Sequence, residues 1–441
     1  MKKRKEAPAI KSYKLIAKNM GWFTKKIVVG YDKVRKKFLD QMLRGIIGSG
    51  SCLLSNICYV ISRQNKIHHK DEKRLSAEMR NKNWDTEKIY DNQSKLQGCG
   101  DIIDENTIIG LDIMDINKRN GKVYENLTKV HDGSMGEIVS GYWSVVIEAI
   151  KGKGNHFPIS MKLYSDKAKG FKSQWDEIYQ EVKHSIKYYG KKGLWVMDRG
   201  FDTTDNFIFF NNIGLKFLIR GYHNRIVKLA GGKEGKINEI IKTKELQGIE
   251  IYYKHYVEGF KGNRKIWKKK NIKIGYDYLP IEMVYGREEE KEERAKLKLT
   301  VLIVKGIGKK DEISFFFTNE AINNLNDCIK ILKKYSMRWG CEEAIRFVKQ
   351  SFNFEDVRVQ GYESIRRMLV LCMISYTYIC LFIKIFSEKH KRTFYWLRDL
   401  VVFRRKEIFF LHYKILEAIQ KILNLIFIDS LNLWDFKMGN L

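Results

Sequence analysis

The segment from Thr107 to Arg220 constrains the fold most, because its apolar residues alternate between strand-like runs and helical spacing. The predicted elements are, in order, strands over Thr107–Ile116, Tyr142–Ile150 and Phe157–Tyr164, a helix over Phe171–Tyr188, a strand over Gly193–Met197, a helix over Thr203–Asn211 and a strand over Leu215–Arg220. Three strands followed by helix–strand units predict an α/β domain whose mixed sheet is flanked by helices.

The rest of the chain is organised around this segment. The element order matches the ribonuclease H-like arrangement, in which three antiparallel strands are extended by strand–helix units. Residues 221–312 contain strand-like pieces separated by charged runs, which predicts an inserted β-rich module. Residues 313–430 begin with a strand, Ile313–Phe317, and continue as helices, so the predicted catalytic domain comprises 106–220 and 313–430.

Residues 1–105 are basic and helical in pattern, and we interpret them as an N-terminal helical DNA-binding domain. Apolar positions at helical spacing run from Phe38 to Ile61 and are interrupted by Gly48–Ser51, and the basic stretch Lys73–Lys82 follows. This order resembles a helix-turn-helix. A small helical bundle without DNA-binding activity would show the same pattern.

The charge balance predicts a polyanionic partner. The 82 Lys and Arg exceed the 52 Asp and Glu, which gives a formal net charge of +30. Such an excess favours nucleic acid through phosphate contacts, although an A/T-rich genome also raises the lysine count. Lys261–Lys273 places seven cations, among them Lys265, Lys268 and Lys269, around Trp267. This patch could hold a DNA end by charge and base stacking, and a solvated hairpin is the alternative.

Cysteine usage and hydropathy bear on location. The seven cysteines form no CxxC pair, which fits a reducing compartment, and the basic Met1–Lys5 leads into no secretory signal. We therefore expect a cytoplasmic, nucleoid-associated protein. The apolar run Met368–Ile383 has 16 residues, fewer than the roughly 20 that span a membrane, so it is interpreted as a buried helix and no membrane partner is expected.

Two aspartates occupy positions suited to metal-dependent phosphodiester chemistry, which needs converging carboxylate ligands. Asp112 lies within the apolar first strand, where an ionised side chain requires a partner or a ligand. Asp198 follows the apolar strand that ends at Met197, at the strand end where α/β sites form. Asp198 could instead cap the next helix, and Asp112 has three rivals, Asp101, Asp104 and Asp115.

A third carboxylate belongs to a polar pattern on a helix predicted to begin near Asn324. Tyr335, Arg338, Glu342 and Lys349 fall at offsets of zero, three, seven and fourteen. At about 100° per residue, they lie within about 60° of arc on one continuous helix. A solvated face stabilised by an Arg338–Glu342 pair is the alternative, and the neighbouring Glu343 rotates off this face.

This spacing resembles the Tyr-Arg-Glu-Lys signature of the DDE transposases of the insertion-sequence-4 family. The segments "IIGLDIMDINK", "WVMDRGF" and "FFFTNE" resemble the family's first-Asp strand, its second-Asp strand and the strand before the signature helix. The similarity covers roughly Thr107 to Glu355, and the β-rich module lies between the second and third carboxylates, as in that family.

The resemblance implies cut-and-paste transposition: water attacks at the transposon ends, and a 3′-hydroxyl then attacks target DNA. It implies that Asp112, Asp198 and Glu342 bind two Mg²⁺ ions, for which Mn²⁺ can substitute. Arg338 and Lys349 would grip terminal phosphates, Tyr335 would add a hydrogen bond, and Trp267 could stack on an end base. The implied partners are double-stranded DNA, as ends and as target, and a second copy of the chain in the DNA complex.

Two other functions remain open at this point. A ribonuclease H-fold nuclease such as a resolvase would share the carboxylates but would not join strands. A non-catalytic DNA-binding protein derived from a transposase would have no use for intact carboxylates. A basic membrane-associated protein is a weaker third possibility, because it explains none of the acidic residues.

Overall fold

The computed structural model describes residues 8–62, 68–81, 83–96, 103–133, 135–152, 155–229, 232–242, 244–261, 264–285, 295–306, 313–401 and 411–424. Within these ranges, the side chains of residues 68, 251–272, 284, 285 and 295 are not described. The chain divides into two compact units. The first comprises Met1–Thr107, Leu111–Gly190 and Gly340–Leu441, and the second Ile108–Gly110 and Lys191–Trp339. These bounds differ from the domains expected from the sequence, which stay a prediction.

The first unit begins with five helices: α1 (Pro8–Ile27), α2 (Lys33–Ser49), α3 (Leu54–Ile61), α4 (His68–Arg80) and α5 (Thr86–Ser94). Asp32 caps α2 by accepting hydrogen bonds from Val34 and Arg35, and Gly50 ends it in the left-handed region at φ 61°. The axes of α2 and α3 differ by 98°. The expected helices and the turn between them are thus present, whereas DNA binding by this part stays a prediction.

The sheet of the first unit contains β1 from Leu111 onwards (whole strand Ile108–Asn117), β2 (Thr128–Asp132), β3 (Glu137–Ile150) and β4 (His156–Tyr164). Strand β3 pairs antiparallel with both β2 and β4. Helix α6 (Gln174–Tyr189) follows, capped by Ser173. The three predicted strands and the helix are confirmed; β2 was not predicted.

The C-terminal part of the first unit is helical. It contains α10 (Trp339–Ser351), α11 (Tyr362–Lys389), α12 (Lys391–Leu400) and a further helix over 412–424. Helix α11 packs on β4 and buries every residue from Met368 to Ile383, which confirms the predicted buried helix. By length and composition alone α11 could span a membrane, but 89% of its most apolar window is buried within the protein.

The second unit alternates strands and helices before extending into an antiparallel sheet. Its elements are β5 (Leu194–Met197), a 3-10 turn (Arg199–Phe201), α7 (Thr204–Asn212), β6 (Lys216–Arg220), β7 (Ile226–Leu229), β8 (Glu234–Lys236), α8 (Ile237–Ile241), β9 (Gly248–Lys261), β10 (Arg264–Tyr285), β11 (Ala295–Lys305), β12 (Ile313–Thr318) and α9 (Leu325–Tyr335). Strands β5 and β6 are parallel, and the order from β6 is β6-β12-β11-β10-β7-β8, with β9 on β10. The predicted mixed α/β sheet flanked by helices is confirmed.

The helix predicted to carry all four signature residues is not continuous, and this part of the prediction is wrong. Helix α9 ends at Tyr335, a 3-10 segment covers Ser336–Arg338, and α10 begins at Trp339. The hydroxyl of Ser336 donates to the carbonyl oxygen of Lys333 at 2.7 Å, a local bond that competes with regular helix geometry. The rotation of about 100° per residue therefore does not hold from Tyr335 to Lys349.

Candidate active site

Asp198 stands where the sequence predicted it, at the carboxyl end of β5. All four residues of β5 are buried, whereas Asp198 itself is partly exposed. Its Oδ1 accepts a hydrogen bond from the Gly200 N–H at 2.9 Å, which caps the 3-10 turn that follows. The capping alternative is therefore realised in the structure, and a ligand role for the same carboxylate has to be tested separately from the cap.

Tyr335 lies within electrostatic reach of both Asp198 and Arg338 in the second unit. Burial is the largest cause that raises the pKa of Tyr335; Arg338 and Arg220 lower this pKa, and Asp198 raises it. The Arg338 guanidinium lies 5.9 Å from the centre of the Tyr335 ring, which also packs edge-on against Phe316 at 4.5 Å. The structure thus brings one predicted metal ligand and two predicted phosphate-binding residues together.

A buried ion pair fixes the turn after Asp198. This pair was not predicted from the sequence. The Asp202 carboxylate pairs with the guanidinium of Arg225 and accepts the Tyr222 N–H at 2.6 Å. Arg225 also donates to the carbonyl oxygen of Asp202 at 2.8 Å. Burial raises the pKa of Asp202, and Arg225 opposes that shift. The only sequence signal for this pair is a second aspartate four residues after Asp198.

Asp112 and Glu342 belong to the first unit, on β1 and in the first turn of α10. Both are partly buried, and Asp112 Oδ1 accepts the Ile113 N–H at 2.9 Å. Their rivals are neutralised by cations, because Asp115 pairs with Lys349 at 3.0 Å and Glu343 pairs with Arg346.

Asp104 is another alternative to Asp112 and lies outside β1. Asp104 sits in the turn before β1 and pairs with Lys151 at 2.6 Å. Hydrogen bonds from Lys151 and Thr107 lower the pKa of this exposed carboxyl to about 2. Asp101 lies outside the described residues.

Lys349 was expected to grip phosphate, but in the structure it joins two carboxylates. Its ammonium lies 3.0 Å from Asp115 and 3.1 Å from Glu355, and only 18% of its side chain is exposed. Glu355 in turn accepts the Asn117 N–H at 3.2 Å. Lys349 therefore ties β1 to α10, the two elements that carry Asp112 and Glu342.

A buried polar cluster lies against the start of α10. Tyr376 donates to Glu148 Oε1 at 2.8 Å, the His156 Nδ1 lies 3.9 Å from the same oxygen, and the rings of His156 and His412 are 5.7 Å apart. Burial raises the pKa of Glu148 and lowers that of His156 to about 4. At Gly340, a Cβ would lie 2.3 Å from the His156 ring. These long-range contacts left no local signal in the sequence.

The residues of the predicted DNA-end patch lie on one hairpin. In the pairing of β9 with β10, Lys265 opposes Phe260, Trp267 opposes Glu258, Lys268 opposes Val257 and Lys269 opposes Tyr256. Their side chains lie outside what the structure describes. A hairpin is what the solvated alternative expected, and DNA binding by this patch stays a prediction.

The donor chemistry of the three carboxylates suits Mg²⁺, which prefers oxygen ligands. Within the part of the chain that the structure describes, however, no group of three or more His, Cys, Asp or Glu side chains is arranged to hold a metal ion. Two of the proposed ligands belong to the first unit and Asp198 to the second. The fit to Mg²⁺ thus rests on the identity of the donors, with Asp112 within β1, Asp198 at the end of β5 and Glu342 in the first turn of α10.

Comparison with known families identifies the class of protein. A family model described as "Transposase DDE domain" matches residues 153–378, slightly more than half of the 441 residues. The chain therefore belongs to the transposase DDE domain family, which supports a role in DNA transposition. The matched segment includes Asp198, Tyr335, Arg338, Glu342 and Lys349, whereas Asp112 precedes it.

One solved structure resembles the chain over most of its length. It is described as a cryo-EM structure of the piggyBac transposase synaptic complex with hairpin DNA; the match covers 96% of this chain and 82% of that one, at 9% identity and a TM-score of 0.43. No curated protein matches the chain.

Proposed function

We propose that this protein is an insertion-sequence-4-type transposase that cuts DNA at transposon ends and joins the freed 3′ ends to target DNA. The observation that carries the proposal is the family match over residues 153–378, which includes Asp198 at the carboxyl end of β5 and the neighbouring Tyr335 and Arg338. The parallel pair β5–β6 and the antiparallel strands around β3 support a ribonuclease H-like assignment of the sheet.

Asp112, Asp198 and Glu342 are the residues that would hold the metal ions, as two Mg²⁺ or Mn²⁺. When bound, such ions activate the attacking oxygen and stabilise the leaving one. The first-unit ligands stand on elements fixed to each other by Lys349, through Asp115 on β1. We therefore assign Lys349 as a positioning residue in this state of the protein.

Arg338 and Tyr335 would bind the scissile strand. Arg338 keeps its positive charge at any physiological pH, and its guanidinium group is suited to binding phosphate oxygens. A tyrosine phenol is protonated at neutral pH, and burial raises the pKa of Tyr335 further, so this phenol serves as a hydrogen-bond donor to the same backbone. Transposition requires the two transposon ends to be held together, so the working complex is a homodimer on double-stranded DNA. The protein acts in the cytoplasm, beside the nucleoid.

The sharpest test separates the two roles of Asp198. Asparagine caps helices about as well as aspartate but lacks the charge that a metal ligand needs. The substrate is a duplex carrying the DNA that borders the gene, incubated with Mg²⁺. Asp198→Asn is expected to fold and bind this duplex like the wild type while cleavage falls below detection. Cleavage by Asp198→Asn at the wild-type rate would reduce Asp198 to a cap and refute the assignment.

Neighbouring carboxylates provide matched controls. Glu342→Gln should abolish cleavage, whereas Glu343→Gln, which removes a carboxylate that pairs with Arg346, should leave most of it. Cleavage without any joined product, in the wild type, would instead favour a nuclease. A wild-type protein that binds these ends and never cuts them would favour a non-catalytic descendant of a transposase.

A further inference from the structure

A groove of about 880 Å³ in the first unit has no role in the chemistry above. It is lined by the turn before α3, by one face of α4 and by the segment between α10 and α11. We define the basic groove by five of its lining residues: His69, Lys73, Ser76, Arg80 and Arg358.

The geometry of α4 explains why this face is polar. The four groove residues of α4 recur at helical spacing along one side of the helix. Leu75 and Met79, on another side, are fully buried and anchor the helix in the unit. Burial of the apolar side thus presents Lys73 and Arg80 to the groove.

The groove carries a net positive charge, because its three cations outnumber Glu72, the one acidic residue among those that line it. Lys73, Arg80 and Arg358 are exposed, and none of them forms an ion pair with a residue that the structure describes. By contrast, Arg74 on the same helix pairs with Asp71 at 3.1 Å. Several unpaired cations on the walls of one groove attract a polyanion more strongly than the same cations scattered over a surface.

Hydrogen bonds hold the two walls at a fixed spacing. The Met79 carbonyl oxygen, next to Arg80, accepts a hydrogen bond from Arg367 at 2.6 Å and another from Ser364 at 3.3 Å. On the other side of the groove, the Cys52 N–H donates to the Phe352 carbonyl oxygen at 2.8 Å. The backbone segments that carry the cations are therefore held in place, which reduces the entropy lost in the walls when a ligand binds.

The helix-turn-helix geometry alone would have pointed to a different element. Helices α2 and α3 cross at 98°, but the sequence of α3, LSNICYVI, contains no charged residue. Lysine and arginine on α4, and Arg358 opposite, are the groups that can bind phosphate.

We propose that the basic groove holds the phosphate backbone of the duplex that the protein cuts, with Lys73, Arg80 and Arg358 each contacting a phosphate. The identity of this duplex rests on the proposed function. The contacts are independent of base sequence and align the DNA with the unit that carries Asp112 and Glu342.

The test is the salt dependence of DNA binding by the full-length protein. Fluorescence anisotropy at several KCl concentrations measures the affinity for the labelled duplex that borders the gene. A triple variant, Lys73→Ala, Arg80→Ala and Arg358→Ala, should bind more weakly at low salt. The slope of log affinity against log salt should become shallower by between about 2 and 3, because each lost phosphate contact removes roughly 0.9.

A second triple variant controls for net charge. Lys11, Lys25 and Lys26 of α1 are exposed and, among the described residues, take part in no ion pair. Their replacement by alanine changes the charge equally and should leave the slope unchanged. Circular dichroism checks that both variants fold. Equal slopes for the two triple variants, or a wild-type slope for the groove variant, would overturn the proposal.

A photo-crosslinking side chain supplies a positional readout that does not depend on charge. Installed at Ser76, inside the groove, it should crosslink to the duplex; installed at Ala77, exposed and about 100° further around the helix, it should not. Crosslinking at Ala77 alone would contradict the groove.

If the groove variant weakens binding but the wild type neither cuts nor joins DNA, the groove stands and the proposed function fails. If the wild type cuts and joins DNA but the groove variant binds it normally, the proposed function stands and the groove fails.

Discussion

Replacement of Gly340 by alanine tests whether the start of α10 is held against the buried polar cluster. A Cβ at this position would lie 2.3 Å from His156 Cε1, 2.9 Å from its Nδ1 and 3.1 Å from the Ile150 Cδ1. Contacts below 3 Å cannot persist, so α10 or the buried ring must move. Overpacking of this kind destabilises by about 1–3 kcal/mol, while the gain in helix propensity from Gly to Ala is at most about 1 kcal/mol. We expect a net destabilisation of about 1–2 kcal/mol.

Gly21 provides the matched control, because it lies inside α1 and a Cβ there would meet only the Arg44 guanidinium at 3.8 Å. Gly21→Ala should therefore stabilise the protein by up to about 1 kcal/mol. Urea unfolding followed by circular dichroism measures both changes. The reasoning is refuted if Gly340→Ala is as stable as Gly21→Ala.

The same substitution should affect cleavage, since Gly340 lies two residues before Glu342. A shift of α10 that approaches 1 Å at the carboxylate would lower the cleavage rate by up to roughly 100-fold. Gly21→Ala, far from this helix in sequence, should cut at the wild-type rate. If Gly340→Ala is destabilised but cuts normally, α10 has relaxed without displacing Glu342, and the link to function fails.

Two further predictions concern the buried cluster and differ in sign. Burial lowers the pKa of His156 from 6.5 to about 4, so between these pH values only the unfolded chain takes up the proton. The free energy of unfolding should therefore fall as pH drops from 6.5 towards 4, by about 3 kcal/mol in all. His156→Gln should remove this part of the pH dependence in urea unfolding. Burial raises the pKa of Glu148 well above 4.5, so its contribution to stability is present below pH 4.5 and is lost as pH rises. Glu148→Gln keeps an acceptor oxygen for Tyr376 and should be more stable than the wild type at pH 8, with a difference that shrinks towards pH 4.5; a pH-independent difference would contradict the buried-acid explanation.

Much of the fold could be predicted from the sequence because its strands and helices carry strong periodicity. The four residues of β5 are all apolar and all buried, and Asp198 marks the end of that run in the sequence as in the structure. Strand β2 was missed because four of its five residues, TKVHD, are polar, and because it is a strand only through its pairing with β3. Its alternation of buried and exposed residues is too short to stand out against a turn.

The candidate site was predictable in part. Strand ends and helix spacing selected Asp198, Arg338 and Glu342 as candidates. The assumption of a constant rotation per residue could not predict the 3-10 segment at Ser336–Arg338. The pairing of Lys349 with Asp115 joins residues 234 positions apart, and the buried cluster joins β3, β4, α11 and the helix over 412–424. Such contacts depend on tertiary packing, which local patterns do not encode.

The most direct measurement of the central claim is a coupled cleavage and joining assay with the wild-type protein, Mg²⁺, the DNA that borders the gene and a circular target plasmid. We expect donor DNA cut at the transposon ends and covalently joined to the plasmid, with both products absent when Mg²⁺ is chelated. Donor DNA that is bound by the protein but stays uncut, with Mg²⁺ or Mn²⁺ present, would contradict it.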